Sequence, residues 1–273
     1  MKLLKVIFNF YINASIHVAF AVYALVRVTE LYLKLNYNKN LAFFIFFGTI
    51  TGYNFIKYAG IAKLHHKSLT ENLKVIQVFS LISFLFTLFY ASKLSLNTLF
   101  YFAPLGVITL LYAIPFLSGL SKNLRNIPGL KILLIALVWG ITTVLLPIID
   151  VEKTITLNIG LQTFQRILFV IVLTLPFDIR DLRFDHKNLQ TLPQILGVER
   201  VKKFGFFLLG VTMVIEFFIT PDMSYKSVYL AVFLILLILL QQAKKKQTKY
   251  YASFLVEAIP IIWLLLLFII IKK

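Results

Sequence analysis

Long apolar runs recur along the chain, separated by short polar connections. They fall at roughly residues 7–30, 41–61, 74–94, 96–116, 130–149, 161–177, 204–220, 226–241 and 252–271. A helix needs about 20 apolar residues to cross the hydrocarbon of a bilayer, so runs of this kind predict nine membrane-spanning helices. Because the connections are short, one transmembrane domain, 1–273, accommodates them. Polar residues gather after the second, fourth and sixth runs and in the basic stretch KKKQTK before the ninth.

Composition agrees with the pattern. The 273 residues are 60% hydrophobic, with a mean hydropathy of +0.88, too apolar for a soluble globular domain. The formal net charge is +17, and the placement of the basic residues argues against nucleic acid as the partner. With the N-terminus cytoplasmic, the cytoplasmic side collects nineteen Lys and Arg against seven on the other side, the bias that orients membrane proteins. Taken that way, the lipid bilayer is the partner, and a bacterial inner membrane is expected. The first run lacks a short apolar core followed by a small-residue cleavage site, so it reads as a retained helix rather than a signal peptide. Without cysteine, disulfides, thiolate metal ligands and a cysteine nucleophile are excluded. Most of the 27 phenylalanines belong on a lipid-facing surface, with some available to line a tunnel for an apolar chain.

Chemistry concentrates in one segment. Asp178, Asp181 and Asp185, three of the eleven acidic residues, are spaced to share one stripe of a helix, with Arg180, Arg183 and Lys187 repeating the spacing on the opposite side. Carboxylates so arranged can hold a hard divalent cation, and Mg²⁺ so held completes its shell with water and phosphate oxygens. This points to a diphosphate substrate. The bland alternative is a solvated loop whose acids pair with the neighbouring arginines.

The stretch Asp178-Ile-Arg-Asp181-Leu-Arg-Phe-Asp185, followed by Thr191-Leu-Pro-Gln-Ile-Leu-Gly197, resembles the second aspartate motif of the UbiA superfamily of intramembrane prenyltransferases. Tyr112-Ala-Ile-Pro115, Lys131 and Trp139-Gly140 support the resemblance. It implies an all-α integral membrane bundle of nine transmembrane helices, with an apolar cavity capped by short polar helices from the cytoplasmic loops 57–73 and 178–203. It also implies transfer of a prenyl group from a prenyl diphosphate to a lipophilic, apolar or aromatic acceptor. By the same resemblance, Asp181 and Asp185 are the catalytic pair and the Mg²⁺ ligands, Asp178 assists, Asn54 orients the donor, Lys57 and Lys131 contact phosphate, and Tyr112 either orients substrate or belongs to an interfacial aromatic belt.

The first aspartate motif of that family, Asn-x-x-x-Asp-x-x-x-Asp, departs here. Asn54 keeps the asparagine, but Tyr58 and Ala62 stand where the aspartates are expected. Neither is a useful Mg²⁺ ligand. Three readings follow: a transferase in which Lys57 or Lys63 replaces a second metal, a catalytically inactive isoprenoid- or lipid-binding relative, and a transporter or scaffold. The first two differ in whether Lys57, Lys63 or His65 approaches the Asp181/Asp185 pair. His65 and His66, adjacent on a helix, face different ways and are given no ligand role. Arg27 and Glu30 are expected to pair near the outer end of the first span, and Arg166, Glu216 and Glu257 to lie near an interface.

Overall fold

The computed structural model describes residues 2–64, 71–113, 129–185, 189–220 and 222–271, and of residues 2, 59–64, 71, 72 and 271 the backbone alone. Among the described residues all regular structure is helical. The chain runs through α1 (Lys2–Asn13), α2 (Ile16–Tyr32), α3 (Lys39–Leu64), α4 (Glu71–Ala91), α5 (Leu96–Ala113) and α6 (Leu130–Gly140). A π-helical turn (Ile141–Leu145) joins α6 to α7 (Leu146–Asp150), followed by α8 (Leu157–Asp181), α9 (Leu192–Leu196), α10 (Val198–Ile219), α11 (Met223–Gln242), a second π-helical turn (Tyr251–Val256) and α12 (Ile259–Ile271).

Six of the described helical stretches are long and apolar enough to cross a bilayer, and the bent pair α1 and α2 can make a seventh. This is an α-helical integral membrane protein. The other two runs assigned as spans from the sequence form helices of sufficient length, but α10 carries Glu199, Arg200, Lys202, Lys203 and Glu216, and α3 carries Lys39, Lys57 and Lys63.

Two expectations are corrected. The first apolar run is two helices, bent by 55° at Ser15, whose φ of 61° is left-handed. In a membrane the backbone groups freed by such a break need partners, and α3 supplies them: Asn54 Nδ2 donates to the Ala14 carbonyl at 3.1 Å and Tyr58 OH to the Asn13 carbonyl at 3.0 Å. The loop with short polar helices expected over 178–203 is shorter than assigned, because α8 continues to Asp181 and α10 begins at Val198. Between them the short α9 starts at a Thr191 N–H that donates to Gln194 Oε1 at 3.1 Å, a capping-box contact, and ends at Gly197 with φ 80°, a conformation that suits glycine. As expected, the second apolar run is a helix that includes Lys57, and it continues to Leu64; residues 65–70, with His65 and His66, lie outside the described residues.

The π turn after α6 also has a local cause. Pro147 has no N–H to offer the carbonyl four residues earlier, and the turn at 141–145 accommodates the defect within one continuous rod. Close approach helps to hold that rod against α8, since a Cβ on Gly140 would lie 2.4 Å from Ile167 Cγ1.

Packing closes a ring in the order α3, α2, α12, α11, α10, α8, α6 with α7, and α5, which returns to α3, while α4 lies outside against α3. In one half α2 also packs on the π turn and α7, filling the ring. At the other end it gathers the last turn of α8, the first turn of α6, the α1–α2 break and the middle of α3, where the candidate residues lie.

Candidate functional site

Gly129, with φ 71°, turns the chain into α6 and places Lys131 in its first turn. Its ammonium meets all three aspartates: Nζ lies 2.8 Å from Asp178 Oδ1, 3.8 Å from Asp181 Oδ2 and 3.9 Å from Asp185 Oδ2. Asp178 and Asp181 belong to α8. Asp185 lies beyond it, but its N–H donates to the Asp181 carbonyl at 2.8 Å, continuing the helical spacing for one more turn and keeping the third carboxylate over the first two.

The cluster is largely withdrawn from solvent. The Asp178 side chain is 2% exposed and Lys131 16%. Ionised groups in such surroundings persist only when paired and hydrogen-bonded. Beside them Gly129, Ile132, Leu189, Thr191 and Leu192 line a cleft with room, about 10 Å³, for roughly one water molecule.

The expected division into acidic and basic faces is corrected. Arg180 Nε donates to Asp181 Oδ1 at 2.8 Å, because the long guanidinium folds back onto its neighbour instead of projecting from the opposite side. Arg183 lies over the Phe184 ring, 5.5 Å from its centroid. Lys187 lies outside the described residues.

On α3, Lys57 Nζ donates to Ser15 Oγ at 2.9 Å, and that hydroxyl donates to Asn54 Oδ1 at 2.7 Å. Asn54 also donates to Ser80 Oγ at 2.8 Å. With its bond to the Ala14 carbonyl, this commits the amide hydrogens of a buried side chain to the helix break and to α4. Tyr58, standing where the family resemblance expects an aspartate, is occupied with the Asn13 carbonyl.

The two groups are electrostatic neighbours. Lys57 lies within electrostatic range of Glu257 and of Arg180, the partner of Asp181. Tyr53 accepts a hydrogen bond from Trp139 Nε1 at 2.8 Å and lies within range of Glu257 and Tyr112, while Tyr112 in turn lies within range of Lys131. Tyr112 is buried. The structure thus brings Asp178, Asp181, Asp185 and Lys131 into direct contact, and sets Asn54 and Lys57 together at the α1–α2 break. The side chain of Lys63 lies outside the described residues.

Two features escaped sequence reasoning. The Trp139–Tyr53 bond joins α6 to α3 across the ring; the signal for it was that indole and phenol groups in apolar helices need polar partners. The second is a polar cluster in the filled half. Arg166 and Glu216, expected near an interface, are buried within the protein, and hydrogen bonding replaces water around them. Arg166 donates to the Leu25 carbonyl at 2.9 Å and Thr143 Oγ1 at 3.3 Å and lies 5.1 Å from the Trp263 ring centroid. Glu216 accepts from Tyr32 OH at 2.9 Å and from Gln165 Nε2 at 2.7 Å. Arg27 and Glu30 do pair, three residues apart.

Among the described residues no group of three or more His, Asp or Glu is set to hold a metal ion; at the aspartates, Lys131 takes the shared focus. The oxygen donors nonetheless fit a hard cation, since Asp178 Oδ2 and Asp185 Oδ2 are buried without a hydrogen-bond partner. No protein-family model, curated protein or solved structure matches the chain.

Proposed function

We propose that this protein is an intramembrane prenyltransferase of the UbiA type, with nine membrane-crossing helices and its aspartate end on the cytoplasmic side. The observation that carries the reading is the convergence of Asp178, Asp181 and Asp185 on one cationic point, with Arg180 on Asp181 and Lys57 within electrostatic range of Arg180. A membrane enzyme acting on a prenyl diphosphate needs such a gathering of charge-bearing groups at the end of apolar helices.

Asp181 and Asp185 would hold Mg²⁺, which when bound supplies positive charge to the leaving diphosphate. The chain's own residues do the remainder. Lys57 and Arg180 stabilise negative charge on the phosphate oxygens as the allylic carbon–oxygen bond breaks and its electron pair leaves with the diphosphate. The nucleophilic carbon of the acceptor then bonds to the prenyl carbon and loses a proton to solvent or diphosphate. Buried Tyr112 and the Tyr53–Trp139 pair lie between these groups and would orient the apolar partners.

One observation favours a second reading, an isoprenoid- or lipid-binding protein without transfer. Lys131 already neutralises the aspartates, and Asn54 and Tyr58 are committed to the helix break. One experiment separates the two. Purified protein is given geranylgeranyl or farnesyl diphosphate, Mg²⁺ and a panel of aromatic acceptors, and prenylated product is followed by mass spectrometry. The transferase reading expects product that needs Mg²⁺ and falls at least a hundredfold in the double variant Asp181→Ala/Asp185→Ala, roughly the scale of losing one electrostatic stabiliser. Retained turnover in that variant removes the metal assignment. Binding of the diphosphate without product supports the second reading.

A further inference from the structure

The connection between α11 and the second π turn, residues 243–250, contains Lys244, Lys245, Lys246 and Lys249. It joins two of the helices long and apolar enough to span the bilayer, so it lies at the depth of lipid headgroups. Lys249 is turned away, donating to Asn9 Oδ1 at 2.8 Å. Lys244 and Lys246 instead line a cavity of about 300 Å³ together with Gln242, Gln247, Thr248 and Tyr251. Both lysines are exposed, and neither is in an ion pair among the described residues. The walls are fixed: Tyr251 OH donates to the Leu239 carbonyl, and Gln247 Nε2 donates to the Pro176 carbonyl at 2.8 Å.

We propose that this cavity binds the phosphate of an anionic phospholipid, with Lys244 and Lys246 supplying the charge and the Thr248 hydroxyl a further hydrogen bond. Two unpaired cations beside a hydroxyl, in a cavity the size of a headgroup, match a phosphodiester. The location at the ends of two membrane helices selects a lipid over a soluble anion, because the acyl chains lie along α11 and α12 while the headgroup occupies the loop. The tether from Gln247 to Pro176 connects the site to α8 two residues before Asp178. Bound lipid therefore braces the helix that carries the aspartates, whatever those aspartates do.

The test is native mass spectrometry of the delipidated, detergent-purified full chain titrated with dioleoyl phosphatidylglycerol, with dioleoyl phosphatidylcholine as the neutral lipid and inorganic phosphate as the soluble anion. Preferential retention of phosphatidylglycerol is expected, weakened roughly thirtyfold in Lys244→Ala/Lys246→Ala, given the strength of a lysine near an anionic surface. Lys244→Arg/Lys246→Arg should restore it, and Lys93→Ala/Lys153→Ala, removing exposed lysines at the opposite end, should leave it unchanged. Equal retention of the two lipids, an unchanged affinity in the double alanine variant, or displacement of the lipid by millimolar phosphate would each overturn the assignment.

Discussion

Lys131 holds together three carboxylates that would otherwise repel one another in a nearly dry site. Removing it leaves Asp178 buried beside two like charges, and breaking a buried pair from one side costs about 3–5 kcal/mol. Lys131→Ala is therefore expected to lower the thermal midpoint of the detergent-solubilised protein by many degrees. Replacing both partners, as in Lys131→Met/Asp178→Leu, should recover most of the loss, which a thermal-shift assay can read directly. The aspartates were legible in the sequence because a spacing of three, four and seven is a local property of one helix. Their partner was not, since the meeting of residue 131 with residue 178 depends on how α6 docks on α8. For the same reason Asn54 reads as an isolated polar residue in an apolar run, although its amide is spent on a neighbouring break.

Helix existence follows from the length of each apolar run, and the structure places a helix over every one of them. Interruptions are another matter. Ser15 is not a residue that announces a left-handed turn, and only the hydrogen bonds from α3 make the α1–α2 bend tolerable. The π turn at Ile141–Leu145 reflects a proline two residues beyond it. Gly140 marks where this rod presses on α8, and Gly140→Ala is expected to destabilise by about 1–3 kcal/mol through overpacking against Ile167. Pairing it with Ile167→Ala should relieve part of that cost, which a double-mutant cycle of unfolding midpoints would show.

Across the whole molecule, successive helices run up and down, and side-chain bonds at both ends record the alternation. At one end lie Asp178, Lys131, the α1–α2 break and the lysine loop. At the other, Asp150 accepts from Asn38 Nδ2 at 2.6 Å and from Thr98 Oγ1 at 3.1 Å, and Asn158 Nδ2 donates to the Ile219 carbonyl at 2.8 Å. Because the chain has no cysteine, single cysteines report sidedness without background. Lys5→Cys and Thr248→Cys are expected to react with a membrane-impermeant maleimide from one side of a sealed vesicle, and Tyr37→Cys and Lys153→Cys from the other. Labelling of Lys5→Cys and Thr248→Cys from opposite sides would contradict the arrangement. Charge bias along the sequence predicts which end faces the cytoplasm, since it is a sum over many residues. It is silent on the buried Arg166 and Glu216 cluster, where a few hydrogen bonds decide the outcome.

The ammonium among the aspartates gives the resting protein the character of an ion exchanger already loaded with its counter-ion. A divalent ion entering there does not fill an empty place but competes with a tethered cation, so its apparent affinity is a difference between two affinities. The displaced lysine would then be free, within the length of its own side chain, to pair with an anion bound beside such a metal.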